Sequence, residues 1–287
     1  MITHNKEIKG DKYLLSVSGG KDSTAMILHM KESLVDPELI DYVFMDTGWE
    51  DSETYEYLEY LESELGITIN RIRANLTIKE EHNDIYQKCL SVMNRKYSDF
   101  VVHLLNCCFF PTGLNKWCTI RLKIDPFTKF INDSEFEYIN CLGIRKDEST
   151  ARSTLEMWEY NTGFNCWVYR PLIDWLESDV IEIHKRHNVR PNPLYLKGSQ
   201  RVGCYPCIMT KKREMQNIPA THCHIEVIQL LEDYVTKYRN RPCTFFKRRN
   251  IHEVLNWSKT AHGGKQYQLF DYETVAPSCE KWGMCGV

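Results

Sequence analysis

"YLLSVSGGKDSTAMILHM", running from Tyr13 to Met30, decides how the rest of the chain is read. The apolar run Tyr13–Ser18 predicts a strand, and Ser23–Leu34 predicts a helix. Gly19 and Gly20 between them let the main chain turn tightly and approach a ligand closely. Peptide N–H groups at such a turn, together with the start of the next helix, make an anion site. Lys21 adds positive charge, and Ser18 and Ser23 add hydroxyl donors. Asp22 is odd beside an anion; it fits if it caps the helix or holds a Mg²⁺ that bridges two phosphates. The spacing is not G-x-x-x-x-G-K-[ST], because no glycine stands five residues before Gly20.

Outward from this stretch, strand and helix patterns alternate. Asp41–Asp46, Ile69–Ala74, Tyr138–Gly143 and Cys166–Leu172 read as further strands. "EDSETYEYLEYLESELG" reads as a helix closed by Gly66, with Tyr55, Leu58, Leu61 and Leu65 on one stripe. "ESDVIEIHKRHN" follows the fifth strand as another helix, and Ile225–Tyr238 predicts one more. The alternation predicts an α/β fold, a Rossmann-like parallel sheet with helices on both faces. From about Asn188 the chain becomes loop-like and carries prolines and a cysteine pair. The division is therefore residues 1–187, a nucleotide-binding α/β domain, and residues 188–287, a small, basic, cysteine-bearing appendage.

Charge divides at nearly the same point. Residues 1–184 hold 19 Lys/Arg against 31 Asp/Glu, whereas residues 185–265 hold 16 against 5. A basic region on an acidic body suits a polyanion such as tRNA or DNA, and it equally suits docking on the chain's own acidic part. "KKRE" (Lys211, Lys212, Arg213) and "FFKRR" (Phe245 to Arg249) are the two basic clusters there, and either reads as a nucleic-acid groove or a solvated face. No apolar run is long enough for a bilayer and the start "MITHNKEIKGDK" is polar, which points to the cytoplasm and to no membrane partner. Twelve cysteines are many for that compartment, so some are expected to bind metal or do chemistry.

Several segments carry a resemblance. "SGGKDS" after a first strand resembles the PP-loop ATP pyrophosphatases, and "VFMDTGWEDSETYEYL" is similar to the "DTGW" segment of their PAPS reductase-like branch. "GIRKDESTARS" resembles the branch's G-x-R-x-x-E-S-x-x-R motif, and "YRPLIDWLESDV" and "NPLYLKGSQRVGCYPC" also look like it. The resemblance runs from about Tyr13 to Cys207. It implies that Ser18–Ser23 grip pyrophosphate, that main chain around Phe44–Asp46 holds adenine, and that Arg145, Glu148 and Arg152 lie near the phosphates. Two guanidinium forks opposite a glycine loop suit the charge that develops as an α–β phosphate bond breaks. An ion pair of these arginines with Glu148 is the plainer reading.

The cysteines allow more than one set. Cys204 and Cys207 form a C-x-x-C half-site for zinc or an iron–sulfur cluster. Cys279 and Cys285 complete the preferred set, leaving Cys118 near the nucleotide as ligand or sulfur-handling thiol; exchanging Cys118 for one terminal cysteine gives the other. Cys107 and Cys108 lie in the apolar run "VVHLLNCCFF" and read as core, and His222, Cys223 and His224 as a surface cap. The resemblance then implies an enzyme that binds ATP and Mg²⁺, releases pyrophosphate and adenylylates an acceptor. Asp22, Arg145, Arg152 and Cys118 would be catalytic, and whether a partner protein donates sulfur stays open. A sulfonucleotide (PAPS or APS) reductase releasing sulfite and a non-catalytic, nucleotide-regulated nucleic-acid-binding module are the alternatives.

Overall fold

The computed structural model describes residues 2–3, 8–260 and 282. A short antiparallel ribbon, β1 (Ile2–Thr3) with β2 (Lys9–Gly10), precedes the main sheet. The sheet contains β3 (Lys12–Val17), β4 (Ile40–Met45), β5 (Ile69–Ile72), β6 (Tyr138–Leu142), β7 (Trp158–Asn161) and β8 (Cys166–Tyr169). Their order is β5-β4-β3-β6-β8-β7, parallel except that β7 pairs antiparallel with β8. The predicted α/β sheet is thus present, with one antiparallel edge strand that the sequence reading missed. β3 has β4 on one side and β6 on the other, so the direction of winding reverses there. In open α/β sheets, ligands sit outside the carboxyl ends of the strands at such a reversal.

Period-two alternation sends the side chains of the strands to two faces. Tyr13, Leu15, Val17, Tyr42, Phe44 and Ile139 pack on one face against α1 (Lys21–Glu32), α2 (Ser52–Leu65) and α7 (Glu177–Arg186). Leu14, Val43 and Tyr138 pack on the other against Phe127 and Ile131 of α6 (Asp125–Asn132). Gly66 closes α2 as predicted, in the left-handed conformation at φ 63°. Tyr57, rather than Tyr55, joins Leu58 and Leu61 in the core.

A third apolar cluster lies away from the sheet. It joins α3 (Asn83–Met93), α4 (Asp99–Cys107) and the short α5 (Trp117–Thr119) to the later α9 (Lys212–Gln216), α10 (Cys223–Arg239) and α11 (Ile251–Ser258). Trp49, fully buried, stands in it, stacked on Phe100 at 4.6 Å between ring centres. Between α7 and α9 runs α8 (Pro193–Leu196). The run "VVHLLNCCFF" proves to be the end of α4, where Cys108 is buried but Cys107 is exposed, so only one of that pair is core. Among the described residues, no helix is long and apolar enough to cross a membrane.

Candidate functional site

The phosphate loop leaves β3 at Val17 and enters α1 at Lys21. Gly19 turns the chain at φ +71°, where L-residues are rarely found. The Ser23 hydroxyl accepts the Ser18 N–H at 3.1 Å and donates to the Gly20 carbonyl at 2.9 Å, which fixes the curl of the loop. Gly20 is the N-cap and supplies no side chain, so Asp22 does not cap the helix. Its carboxylate instead accepts from Arg145 Nε at 2.6 Å and lies 3.6 Å from Lys21 Nζ. Gly143, just past β6, abuts the loop: a Cβ there would stand 2.6 Å from the Asp22 carbonyl oxygen.

Three buried side chains from the later part of the chain hold this loop from behind. Asn192 Nδ2 donates to the Gly19 carbonyl at 3.1 Å. The Tyr195 hydroxyl accepts the Lys21 N–H at 3.1 Å, and His184 Nε2 lies 3.0 Å from the Lys21 carbonyl. Burial keeps the His184 ring below its ordinary pKa, against the two carbonyls it faces. Trp282 packs edge-on against His184, with ring centres 5.1 Å apart. None of these three side chains carried a role in the sequence reading, although "NPLYLKGSQ" contains two of them.

In front of the loop is a cleft lined by Ser18, Lys21, Ser23, Arg152, Gln200 and Arg201. Arg145 is buried at 3% exposure and spends its guanidinium on Asp22 and Asp147. It therefore orders Asp22 rather than reaching into the cleft. Arg152 pairs with Glu148, as the plainer reading has it, and also lines the cleft. Burial and the nearby positive charge of Arg201 hold the Arg152 pKa below its ordinary value. Two guanidinium groups kept close without full neutralisation are suited to an anion between them. Arg201 was not singled out from the sequence, because its reach depends on how the loop after α8 folds back.

At the end of β4, Phe44 has its side chain in the core, and β3 and β5 flank its main chain on both sides. Asp46, fully buried, donates its N–H to the Ile72 carbonyl at 2.9 Å. Its carboxylate accepts from Gly48 N at 2.9 Å, from Tyr55 OH at 2.7 Å and from Tyr97 OH. Arg95 lies over the Tyr55 ring, 4.5 Å from its centre.

The turn after β4 meets the cysteines. Glu50 pairs in an isolated bridge with Cys204, the Tyr205 N–H donates to the Trp49 carbonyl at 2.9 Å, and Trp49 Nε1 donates to the Pro206 carbonyl at 3.2 Å. Buried Glu50 accepts from Thr47 Oγ1 at 2.8 Å and from the Cys204 thiol at 3.8 Å. Cys118 lies near Cys204 and Cys207: burial first, and the neighbouring sulfurs after it, push the Cys118 and Cys204 thiols up. Burial of the sulfur, with Glu50 and the other thiols, pushes Cys204 up to about 12 against the opposing charge of Lys123. Lys123, just after Cys118 in a π-helical stretch (Ile120–Ile124), is held charged by Cys204 and Glu50. Three thiols with a cation beside them are a donor set whose chemistry suits zinc or an iron–sulfur cluster, although among the described residues only His222, Cys223 and His224 bring their ligand atoms within 4.8 Å of one another. Of the preferred ligands, Cys279 and Cys285 lie outside the described residues.

His222, Cys223 and His224 bring their ligand atoms within 4.8 Å of one another, yet both His222 nitrogens are engaged. Nδ1 accepts the His224 N–H at 3.2 Å as the N-cap of α10, and Nε2 contacts Asp51 Oδ2 at 2.9 Å. The cap reading holds; the site is not at the surface, because His224 is buried. Part of the basic charge after residue 184 is spent within the chain: Arg186 and His187 pair with Glu32, and Lys197 with Glu53. Phe245 of "FFKRR" turns into the core.

Residues 12–210 match the phosphoadenosine phosphosulfate reductase domain. The chain therefore belongs to the PAPS reductase family, whose members are enzymes of that type. It is 32% identical over 310 aligned positions to an uncharacterized 37.8 kDa protein of Escherichia phage 186, covering 89% of this chain and 90% of that one. An adenosine 5′-phosphosulfate reductase of Salinibacter ruber is 24% identical over 190 residues, 66% of this chain and 65% of the relative. The crystal structure of phosphoadenylyl-sulfate reductase from Candida auris, a phosphate complex, aligns with TM-score 0.49 and 18% identity over 69% of this chain and 82% of that one.

Proposed function

We propose that the protein cleaves ATP to AMP and pyrophosphate and adenylylates an acceptor, as part of sulfur transfer or nucleic-acid modification. The supporting observation is the cleft itself. A complete glycine-serine phosphate loop faces Arg152 and Arg201, and Cys204 follows Arg201 by only three residues. ATP enters as its Mg²⁺ complex, with the pyrophosphate moiety on Lys21 and on those loop N–H groups not already bonded within the protein. An acceptor oxygen attacks the α-phosphorus, the bond to the bridging oxygen breaks, and pyrophosphate leaves with the electron pair. Arg152 and Arg201 offset the charge on the leaving group, a contribution of about 3 kcal/mol for one such donor. Arg145 positions Asp22. Cys118, Cys204 and Cys207 would hold zinc or an iron–sulfur cluster; a cluster would supply redox or sulfur chemistry, with a sulfur-donor protein as the source.

The test is pyrophosphate release from ATP, with small-molecule and nucleic-acid acceptors, by protein purified without oxygen and assayed for iron, zinc and sulfide. Asp22→Ala and Ser23→Ala are each expected to lower release by at least about a hundredfold. Full release by either variant overturns the mechanism. Sulfite release from adenosine 5′-phosphosulfate with a thiol and without ATP would assign the reductase reaction instead.

A further inference from the structure

The two basic clusters, more than thirty residues apart in sequence, meet on one aromatic side chain. Lys212 Nζ lies 4.8 Å from the centre of the Trp257 ring, and Arg249 lies 4.9 Å from it. Lys212 also donates to the Thr260 carbonyl at 2.6 Å and to its hydroxyl at 3.2 Å, so its position is fixed. Arg249 itself and, around this pair, Lys211, Arg213, Lys247, Arg248 and Lys259 are exposed. None of them forms an ion pair with a described residue, in contrast to Arg186 and Lys197. The loop that carries Lys247–Arg249 is itself anchored: buried Glu232 accepts the Phe245 N–H at 2.8 Å and the Ile251 N–H at 2.9 Å.

This face is joined to the cleft. Glu214 of α9 accepts from Lys211 N and from Gln200 N, each at 3.1 Å, which ties the start of the basic helix to the cleft wall. The Thr210 N–H donates to the Cys207 carbonyl at 2.9 Å, so the turn after C-x-x-C leads directly into Lys211. The cleft wall at Gln200 and the basic face that begins at Lys211 are therefore joined through Glu214.

We infer that this face, Lys211 to Arg213 with Lys247 to Arg249 around Trp257, seats the phosphate backbone of a nucleic-acid strand whose reacting nucleotide enters the cleft. The inference rests on the proposed reading of the cleft and names its acceptor. A strand held by its backbone suits the face: the cations form a track rather than one pocket, and Trp257 is occupied in holding two of them, which leaves phosphate rather than base contacts to this face. Recognition along the track is accordingly independent of sequence, and selectivity belongs to the cleft.

The test uses the full chain and a fluorescein-labelled single strand of about 20 nucleotides, longer than the ~4–16 such grooves cover. Anisotropy is read across a salt series. Lys211→Glu, Arg213→Glu and Arg249→Glu combined should weaken binding at least about tenfold near 0.1 M salt and flatten the salt slope by about 2. The charge-matched control, Lys88→Glu, Lys129→Glu and Lys185→Glu, changes exposed positions on α3, α6 and α7 and should bind much as the parent does. Equal melting temperatures of the two triple variants show that folding is not the cause. Equal binding by both overturns the inference, as does absence of binding by the parent or displacement by polyglutamate as effective as by unlabelled strand. Pyrophosphate release separates the two readings. If the parent releases it and the patch variant binds the strand normally, the docking face falls and the cleft stands. If the strand binds through the patch but no acceptor supports release, the cleft reading falls.

Discussion

The phosphate loop and the cysteine centre are built on opposite principles. Six consecutive residues, Ser18 to Ser23, make the loop, and its internal bonds, Ser18 N to Ser23 Oγ and Ser23 Oγ to Gly20 O, span at most five positions. The cysteine centre draws Cys118 from one region and Cys204 and Cys207 from another, and depends on Trp49 and Glu50 to hold them together. The loop's curl is set by neighbours in sequence and only then braced by Asn192, Tyr195 and His184, whereas the cysteine centre has no local scaffold and is sensitive to every contact that brings its parts together.

That contrast can be broken most severely at Trp49. Trp49→Ala removes a fully buried indole that stacks on Phe100 and donates to Pro206, and should cost about 4 kcal/mol. Urea unfolding followed by limited proteolysis should show cleavage near 204–207 before cleavage in the sheet; simultaneous loss of both would dissolve the distinction. The next effect is a pH dependence confined to the same junction. Burial opposes a charged His222 ring, but its contacts with Asp51 and Cys223 prevail and raise its pKa from 6.5 to about 9. A raised folded-state pKa gives stability that is complete below pH 6.5 and is lost as the pH rises towards 9. Unfolding free energy should fall over that interval by on the order of 2 kcal/mol, and Asp51→Asn should flatten the fall. The smallest effect probes the loop. Tyr195→Phe deprives the buried Lys21 N–H of its acceptor and should cost about 1 kcal/mol in thermal unfolding, with the cysteine centre unaltered by metal content.

How much of this was legible follows the same line. The strand-glycine-helix run fixed the sheet and the loop, since alternation and turn chemistry are properties of neighbours. Family segments placed Arg145 and Arg152 near the loop, but not that Arg145 spends its charge on Asp22; that pairing spans 123 positions. β7 was missed because Trp158–Asn161, on an edge with its middle residues exposed, lacks the apolar alternation of a buried strand. Glu50, Lys123, Asn192 and Arg201 escaped notice for one reason: nothing local marks a polar residue that acquires its partner only through packing. Cys118 was named, yet nothing in its neighbouring sequence says that Cys204 and Cys207 stand near it.

The shared apolar cluster also bears on how such a protein is inherited and engineered. The sequence invites a cut near residue 187, where composition and charge both change. In space, Trp49 and Phe100 from before that point share one core with Ile225 and Phe245 from after it. A fragment that stopped there would present that core to water. The body cannot be borrowed without the appendage, nor the appendage transplanted onto another sheet, unless the Trp49 turn travels with it.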